Sequence, residues 1–195
     1  MAQGSAVGAG RSTAIVLFTD LVGSTELRSR LGEDAAEELR REHDRLIAGG
    51  IEANRGRLVK HLGDGMMATF TGASDALAAA VAIQQALDRH NRSGSGEAPL
   101  EVRIGISAGD VTFEAEDCFG TPVIEAARLC AAAGGGRILV TDIVRALAGT
   151  AGGHQFVSVG ALELKGLPAP VAACEVTWVP LAGPLLPMPA LLTRA

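Results

Sequence analysis

The segment Arg57–Phe70 constrains the fold of this chain most strongly, because it has the pattern of two short strands joined by a tight turn. Apolar residues lead into and out of Gly63-Asp64-Gly65, and an Asp-Gly pair between apolar runs is a strong hairpin signal. The turn would place the carboxylate of Asp64 at an exposed tip, four residues after Lys60. Taken alone, this pattern favours an ordinary turn aspartate over a metal or phosphate site.

A second stretch, residues 13–25, joins a buried strand to the start of a helix. Residues 13–19 are rich in Ile, Val, Leu and Phe, which is typical of a central strand buried on both faces, and the run ends at Asp20. Gly23, Ser24 and Thr25 then open a helix, for which Ser24 or Thr25 is the predicted cap. The first N–H groups of a helix have no partner within it and attract anions, so this segment predicts a phosphate site beside Asp20.

The order of the predicted elements favours an α+β fold of ferredoxin-like type. Further helices are predicted at about residues 34–53, 74–90, 119–133 and 143–148, and further strands at 100–109, 111–113, 137–141, 156–164 and 171–178. Together with the hairpin they give a βαββαβ core with extra C-terminal strands, in which helices cover the sheet. We predict that residues 1–12 are disordered or derived from cloning, that residues 13–178 form one domain, and that residues 179–195 are a Pro-rich tail or linker.

Composition argues against several classes of function. The chain of 195 residues has 22 acidic and 17 basic residues and a net charge of −5, which weakens any case for a nucleic-acid partner. It has no Tyr and one Trp, too few for stacking on single strands. Its three widely spaced cysteines, Cys118, Cys130 and Cys174, predict neither a zinc site nor a disulfide framework, and they favour a reducing cytoplasm.

No apolar run predicts a membrane span or a signal peptide. The apolar stretch at residues 176–192 is interrupted by four prolines, which would break a helix. The first residues lack the apolar centre of a signal peptide. We therefore expect a cytoplasmic protein with no membrane partner.

Asp20 and Asp64 are predicted to converge, because the first strand and the hairpin are neighbours in a ferredoxin-like sheet. Two carboxylates without His or Cys suit a hard cation such as Mg²⁺ or Mn²⁺, which also binds substrate phosphates. The N–H groups of Gly23, Ser24 and Thr25 would hold those phosphates. From the residues alone, two interpretations are equally well supported: a metal–polyphosphate site, or a helix cap and a hairpin turn that have no common role.

The stretches Phe18-Thr-Asp-Leu-Val-Gly-Ser-Thr25 and Val59-Lys-His-Leu-Gly-Asp-Gly65 resemble motifs of the class III nucleotidyl cyclase catalytic domain, the adenylate and guanylate cyclase family. The resemblance is closest to bacterial and mycobacterial members, and it covers residues 13–178 with the motifs in the expected order. It implies the class III cyclase fold and an adenylate cyclase that converts ATP into 3′,5′-cyclic AMP and pyrophosphate. It also implies a head-to-tail homodimer in which each site is shared between two chains, so that the monomer is inactive.

The resemblance assigns a metal site and a purine site. Asp20, Asp64 and the backbone carbonyl of Leu21 match the family's ligands for two Mg²⁺ or Mn²⁺ ions, which assist attack of the ribose 3′-hydroxyl on the α-phosphate. Lys60 and Asp117 match the residues that select the purine. A Lys donates to N1 of adenine and an Asp accepts from its N6 amino group, whereas guanine has the reverse pattern, so this pair implies ATP.

Two further residues match positions that contact phosphates in the family. Arg128 matches the arginine that stabilises the α-phosphate in the transition state, and Lys165 falls near a lysine that contacts the phosphates. Two other polar residues are given no role in the chemistry. We interpret Arg103 as a structural strand residue and His61 as a surface residue of the hairpin.

One position departs from the family pattern. The family has Asn four residues before the arginine, where it orients the ribose, whereas this chain has Ile124, which can neither donate nor accept a hydrogen bond. The adjacent Glu125 would project about 100° round the helix. We predict a slow adenylate cyclase, and the alternative is a catalytically weak or inactive module for nucleotide binding or dimerisation. A diguanylate cyclase is disfavoured, because the Gly-Gly-Asp-Glu-Phe signature of that related fold is absent.

Overall fold

A computed structural model describes residues 10–94 and 98–182 of the chain. Its strands are β1 Gly10–Leu21, β2 Arg57–His61, β3 Gly65–Phe70, β4 Val102–Glu114, β5 Asp117–Phe119, β6 Ile138–Thr141, β7 Gln155–Leu162 and β8 Val171–Thr177. Its helices are α1 Ser24–Leu31, α2 Glu33–Ala53, α3 Ala73–Ser93, α4 Thr121–Ala132 and α5 Asp142–Ala148, and a short 3₁₀ turn covers Ala151–Gly153.

The strands form one sheet with the order β2-β3-β1-β4-β6-β8-β7, and β5 pairs with β4 beside this path. The pairs β2·β3, β3·β1 and β1·β4 are antiparallel, and β4·β6 is parallel. The first four strands have the order of a ferredoxin-like βαββαβ core, and β6, β8 and β7 extend it. The predicted α+β fold with extra C-terminal strands is therefore confirmed.

Helices pack on both faces of the sheet. α2, α3 and α5 cover one face, above a core that includes Leu17, Met66 and Ile104. α4 packs on the other face, above Val16 and Phe18 of β1 among others. Because successive side chains of a strand point to opposite faces, Asp20 lies on the same face as Val16 and Phe18, which we call the α4 face.

α4 lies very close to β4 at Gly105. A Cβ atom at this position would be 2.2 Å from the backbone oxygen of Ala126 and 2.2 Å from the backbone nitrogen of Cys130. A residue with any side chain would push the helix off the sheet, because both obstructing atoms belong to the backbone. Gly105 therefore sets the height of α4 above the strands that carry the candidate site.

Two strands are longer than their sequence pattern predicts. β1 begins at Gly10, so residues 10–12, predicted to be disordered or derived from cloning, belong to the sheet. β4 is a single strand up to Glu114, where two strands were predicted. The reason is the same in both cases, because the two strands pair continuously, from Gly10 opposite Phe113 to Leu21 opposite Val102.

The predicted side-chain cap of α1 is wrong. The residue that precedes the helix is Gly23, and no side-chain hydrogen bond caps this end. The φ angle of Gly23 is 68°, in the left-handed region that glycine adopts without strain. The turn from β1 into α1 is therefore made by the backbone of Gly23 and not by the hydroxyl of Ser24 or Thr25.

The chain after β8 lies along α3. The carbonyl oxygens of Val179 and Leu181 accept hydrogen bonds from Gln85 at 2.9 Å and Arg92 at 3.0 Å. The first residues of the predicted Pro-rich tail therefore contact the domain, and residues 183–195 lie outside the described ranges. None of the helices within those ranges has the length and apolar character needed to cross a membrane.

Candidate active site

Asp20 and Asp64 lie on neighbouring strand ends. Asp20 is the register partner of Gly65, and the N–H of Leu21 donates a hydrogen bond to the carbonyl of Asp64 at 3.2 Å. The structure thus brings the backbones of Asp20 and Asp64 together at neighbouring strand ends, and the convergence of their carboxylates on one metal site stays a prediction. Asp64 lines a cavity of about 350 Å³, whose other walls include Leu21, Ser24, Thr25, Arg28 and Arg40.

The carboxylate of Asp20 is bound by Arg103 of the opposite strand. Nε of Arg103 donates to Oδ2 of Asp20 at 2.6 Å, and Nη2 contacts the same oxygen. The interpretation of Arg103 as a structural strand residue did not include this ion pair with Asp20. The signal that could have found it is the alternation of β4, which places Arg103 on the polar face of the strand.

Lys60 and Asp117 meet although they are 57 residues apart. Nζ of Lys60 lies 2.7 Å from each carboxylate oxygen of Asp117, and the N–H of Cys118 donates to the same carboxylate at 2.8 Å. These contacts, the Lys60 hydrogen bond first, hold the pKa of the Asp117 carboxyl below its ordinary value. The pair forms because β5 pairs with β4 and contacts β2.

α4 presents its predicted site residue to solvent. Arg128 is exposed, and among the described residues it has no hydrogen bond or ion pair. Ile124, one helical turn earlier, is 45% exposed, whereas Ala126 and Leu129 are buried. A single chain therefore does not turn Arg128 toward its own sheet, where Asp20 lies.

Glu125 differs from Ile124 in its surroundings. The hydroxyl of Ser107, which is fully buried on β4, donates to Oε2 of Glu125 at 2.5 Å. Glu125 therefore faces the sheet of its own chain and not the exposed surface that carries Ile124. Glu125 and Ile124 therefore project in different directions from α4, as the helical geometry predicts.

Lys165 is exposed in the connection between β7 and β8. It lines a cavity of about 420 Å³ formed by residues 163–170. β7 and β8 are at one end of the sheet order, and β2 and β3, which flank Asp64, are at the other. The structure does not bring Lys165 together with the two aspartates within one chain.

His61 is exposed on the hairpin, as predicted.

The donor set beside Asp20 fits a hard divalent cation. Within the described ranges no group of three or more His, Cys, Asp or Glu side chains could hold a metal ion. The ligands that the resemblance to cyclases predicts, the carboxylates of Asp20 and Asp64 and the carbonyl of Leu21, are oxygen donors, the kind that Mg²⁺ and Mn²⁺ prefer. The nearby thiol of Cys130 is not a competing soft ligand. Burial, and secondarily the charge of Asp20, raises the pKa of Cys130 to about 12, so the thiol stays neutral.

The family model for the adenylate and guanylate cyclase catalytic domain matches residues 9–179 of the chain. An adenylate cyclase of Streptomyces coelicolor is 35% identical over 123 residues, which are 63% of this chain and 31% of that protein. The chain spans less than half the length of the curated relatives it matches first, 29% and 40% of their residues.

Solved structures of cyclases share the fold. The adenylate/guanylate cyclase/hydrolase from Silicibacter pomeroyi has a TM-score of 0.76 and 31% identity, covering 87% of this chain and 98% of that one. The guanylyl cyclase Cya2 has a TM-score of 0.76 and 25% identity, covering 89% of this chain and 95% of that one. The similar proteins thus include cyclases named for each of the two purine nucleotides.

Proposed function

The chain belongs to the adenylate and guanylate cyclase catalytic-domain family, and from this premise we propose that it is an adenylate cyclase, which converts ATP into 3′,5′-cyclic AMP and pyrophosphate. The observation that carries the choice of ATP is the contact between Lys60 and Asp117. This contact places one donor and one acceptor side by side on the surface of a single chain. Adenine needs this combination, a donor for N1 and an acceptor for the N6 amino group.

The same pair disfavours guanine. The O6 atom of guanine is an acceptor and its N1 and N2 groups are donors, so Asp117 would face O6 and Lys60 would face a donor. A mismatch of this kind leaves buried polar groups unpaired, which costs far more than a missing apolar contact. We therefore assign purine selection to Lys60 and Asp117.

Asp20, Asp64 and the carbonyl of Leu21 would hold two Mg²⁺ or Mn²⁺ ions. These ions would activate the ribose 3′-hydroxyl for attack on the α-phosphate and offset the charge of the leaving pyrophosphate. The N–H groups of Gly23, Ser24 and Thr25 stand at the start of α1, where an anion is favoured, and Ser24 and Thr25 line the same cavity as Asp64. This segment would orient the polyphosphate against the aspartates.

The exposure of Arg128 supports a site completed by a second chain. A guanidinium that stabilises the α-phosphate must reach the nucleotide, and Arg128 points away from the sheet that carries Asp20 in its own chain. A head-to-tail homodimer would bring Arg128 and Lys165 of one chain to the aspartates of the other, and two-fold symmetry would make two such sites. We place this activity in the cytoplasm, where the three free cysteines of the chain stay reduced.

Ile124 favours a second candidate function. Its exposed side chain stands one turn before Arg128 and offers no hydrogen bond to a ribose. A module that binds nucleotide or dimerises without efficient turnover would tolerate such a residue. The slow enzyme is preferred, because Asp20, Asp64, Lys60, Asp117 and Arg128 are all present.

Product analysis of the purified full chain tests the proposal. With ATP and Mn²⁺ we expect cyclic AMP and pyrophosphate by chromatography, and little cyclic GMP from GTP.

Asp20→Ala and Asp64→Ala should abolish turnover without changing the circular dichroism spectrum, because each removes a metal ligand worth several kcal/mol in the transition state. The control Asp75→Ala removes a surface acid paired with Arg55 and should keep activity. Nucleotide binding without any product would favour the second candidate, and wild-type activity in either site variant would contradict the metal assignment.

A further inference from the structure

One oxygen of the Asp20 carboxylate, Oδ2, is already bound by a cation of the same chain. Besides its bonds to Asp20, Arg103 donates from Nη1 to the carbonyl of Ala131 in α4 at 3.2 Å, so its guanidinium is held between β1 and α4. The side chains of Arg103 and Asp20 are 33% and 31% exposed, which makes this a half-buried ion pair. Such a pair is strong enough to compete with a ligand and weak enough to be displaced.

Asp64, unlike Asp20, has no ion pair with a basic side chain among the described residues. Two arginines line its cavity, Arg28 and Arg40, and Arg40 is paired with Glu37 and Asp44. Asp20, Asp64 and Arg103 together carry two negative charges and one positive charge, and so sum to one negative charge.

We propose that Arg103 is the counter-ion of the metal-free site, which competes with the divalent cation for Asp20 and makes metal binding depend on nucleotide. The proposal rests on the proposed function, in which Asp20 is a metal ligand. Both contacts from Arg103 are to Oδ2 of Asp20, so two metal ions that use both oxygens of this carboxylate must displace them. The displaced guanidinium is then left beside an ion of the same sign, which is unfavourable until an anion enters.

A polyphosphate supplies that anion. Metal alone therefore binds weakly to the nucleotide-free chain, and metal binds more tightly when the nucleotide is present. By thermodynamic linkage the nucleotide must gain the same factor from the metal. Arg103 thus lowers the affinity of the site for a metal ion alone, and this effect is relieved when the nucleotide binds together with the metal.

The test measures metal binding without turnover. Free Mn²⁺ is followed by electron paramagnetic resonance as the nucleotide-free full chain is titrated. Arg103→Gln keeps a polar side chain but removes the charge, and we expect it to bind Mn²⁺ about five- to tenfold more tightly than wild type, the factor that a half-buried ion pair is worth. Arg103→Lys keeps the charge but loses the forked donors of the guanidinium, so its Mn²⁺ affinity should lie between those of wild type and Arg103→Gln.

Arg145→Gln is the matched control. Arg145 forms a comparable two-point pair with Asp142 on α5, on the face of the sheet opposite Asp20, so its loss should leave Mn²⁺ affinity unchanged. A merely structural role for Arg103 would lower thermal stability in Arg103→Gln without tightening Mn²⁺ binding. Equal Mn²⁺ affinity of Arg103→Gln and wild type, including failure of both to bind, overturns the proposal, as does equal tightening in the control.

A second titration measures the coupling between metal and nucleotide binding. It also separates the counter-ion role of Arg103 from the metal role of Asp20. With the non-cyclisable analogue α,β-methylene-ATP, wild type should gain more Mn²⁺ affinity than Arg103→Gln, because the variant has no pair left to displace. Asp20→Asn should weaken Mn²⁺ binding in the Arg103→Gln background. If Asp20→Asn leaves the Mn²⁺ affinity of Arg103→Gln unchanged, the metal role of Asp20 in the proposed function fails. If Asp20→Asn weakens Mn²⁺ binding, but Arg103→Gln binds Mn²⁺ no more tightly than wild type, only the counter-ion proposal fails.

Discussion

At the scale of single residues, we propose that the choice of purine depends on Lys60 and Asp117, whose contact places a donor beside an acceptor. In Lys60→Glu with Asp117→Gly, the Glu can accept from N1 and N2 of guanine, and the loss of Asp117 removes its repulsion of O6. We expect the ratio of kcat/KM for ATP to that for GTP to fall by at least about tenfold, even if both values are low. Steady-state kinetics with both nucleotides measures this ratio.

The matched control breaks another exposed pair. Arg137→Glu with Glu175→Gly removes the ion pair between the residue before β6 and a residue of β8, and should leave the ratio of the two kcat/KM values unchanged. If the Lys60 and Asp117 double variant also keeps the wild-type ratio, these residues do not contact the base.

Also at the residue scale, His43 makes stability depend on pH. Its side chain is fully buried in α2, and burial lowers its pKa below the ordinary value of 6.5, although the charge of Asp44 and the charge of Asp64 act in the opposite direction. Protonation therefore favours the unfolded chain, in which the histidine is hydrated. The contribution of His43 to the free energy of unfolding is complete above pH 6.5 and falls as the pH drops below it, by at most about 1.4 kcal/mol per pH unit.

We expect His43→Leu to remove this part of the pH dependence. Urea denaturation at a series of pH values measures it, and His61→Leu, at an exposed histidine, is the control that should keep the wild-type slope. A slope in His43→Leu as steep as that of wild type would show that other groups cause the acid sensitivity.

At the scale of elements, α4 carries an exposed surface, with Ile124 and Arg128, that its packing on the sheet does not constrain. Ile124 is 45% exposed, so Ile124→Asn should not disturb the contact of α4 with the sheet. If α4 faces the ribose of a second chain, the amide restores a hydrogen bond in the transition state, and kcat with ATP should rise about tenfold or more. The control Ile143→Asn changes a residue of α5 that is 55% exposed and should leave kcat unchanged. No gain in Ile124→Asn would mean that this position lies outside the site.

At the scale of the whole molecule, activity should require two chains. Asp20→Ala and Arg128→Ala should each be inactive, whereas a mixture should regain activity, because each mixed dimer contains one site with Asp20 from one chain and Arg128 from the other. Random exchange makes half of the dimers mixed, each with one working site of two, so at most about a quarter of wild-type activity is expected. Cyclic AMP formation after mixing measures this. Once subunit exchange is confirmed, a mixture no more active than the single variants would exclude the shared site.

Much of the molecule could be predicted from the sequence, because the decisive patterns are local. The apolar run before Asp20 predicts a buried strand, the Asp-Gly turn predicts a hairpin, and the order of elements predicts a ferredoxin-like sheet. From that sheet the proximity of Asp20 and Asp64 follows, since β1 and β3 are neighbours. The resemblance to cyclases also singled out Lys60 and Asp117, which the structure brings into contact.

Only the tertiary structure decided which charges meet and which are left exposed. The sequence marks Arg103 as a polar strand residue, and the register of β1 with β4 places it opposite Asp20, 83 residues away. The close approach of α4 at Gly105 turns Arg128 to solvent. The physical reason is that strand register and helix height result from packing over the whole sheet, so no local pattern of residues determines them.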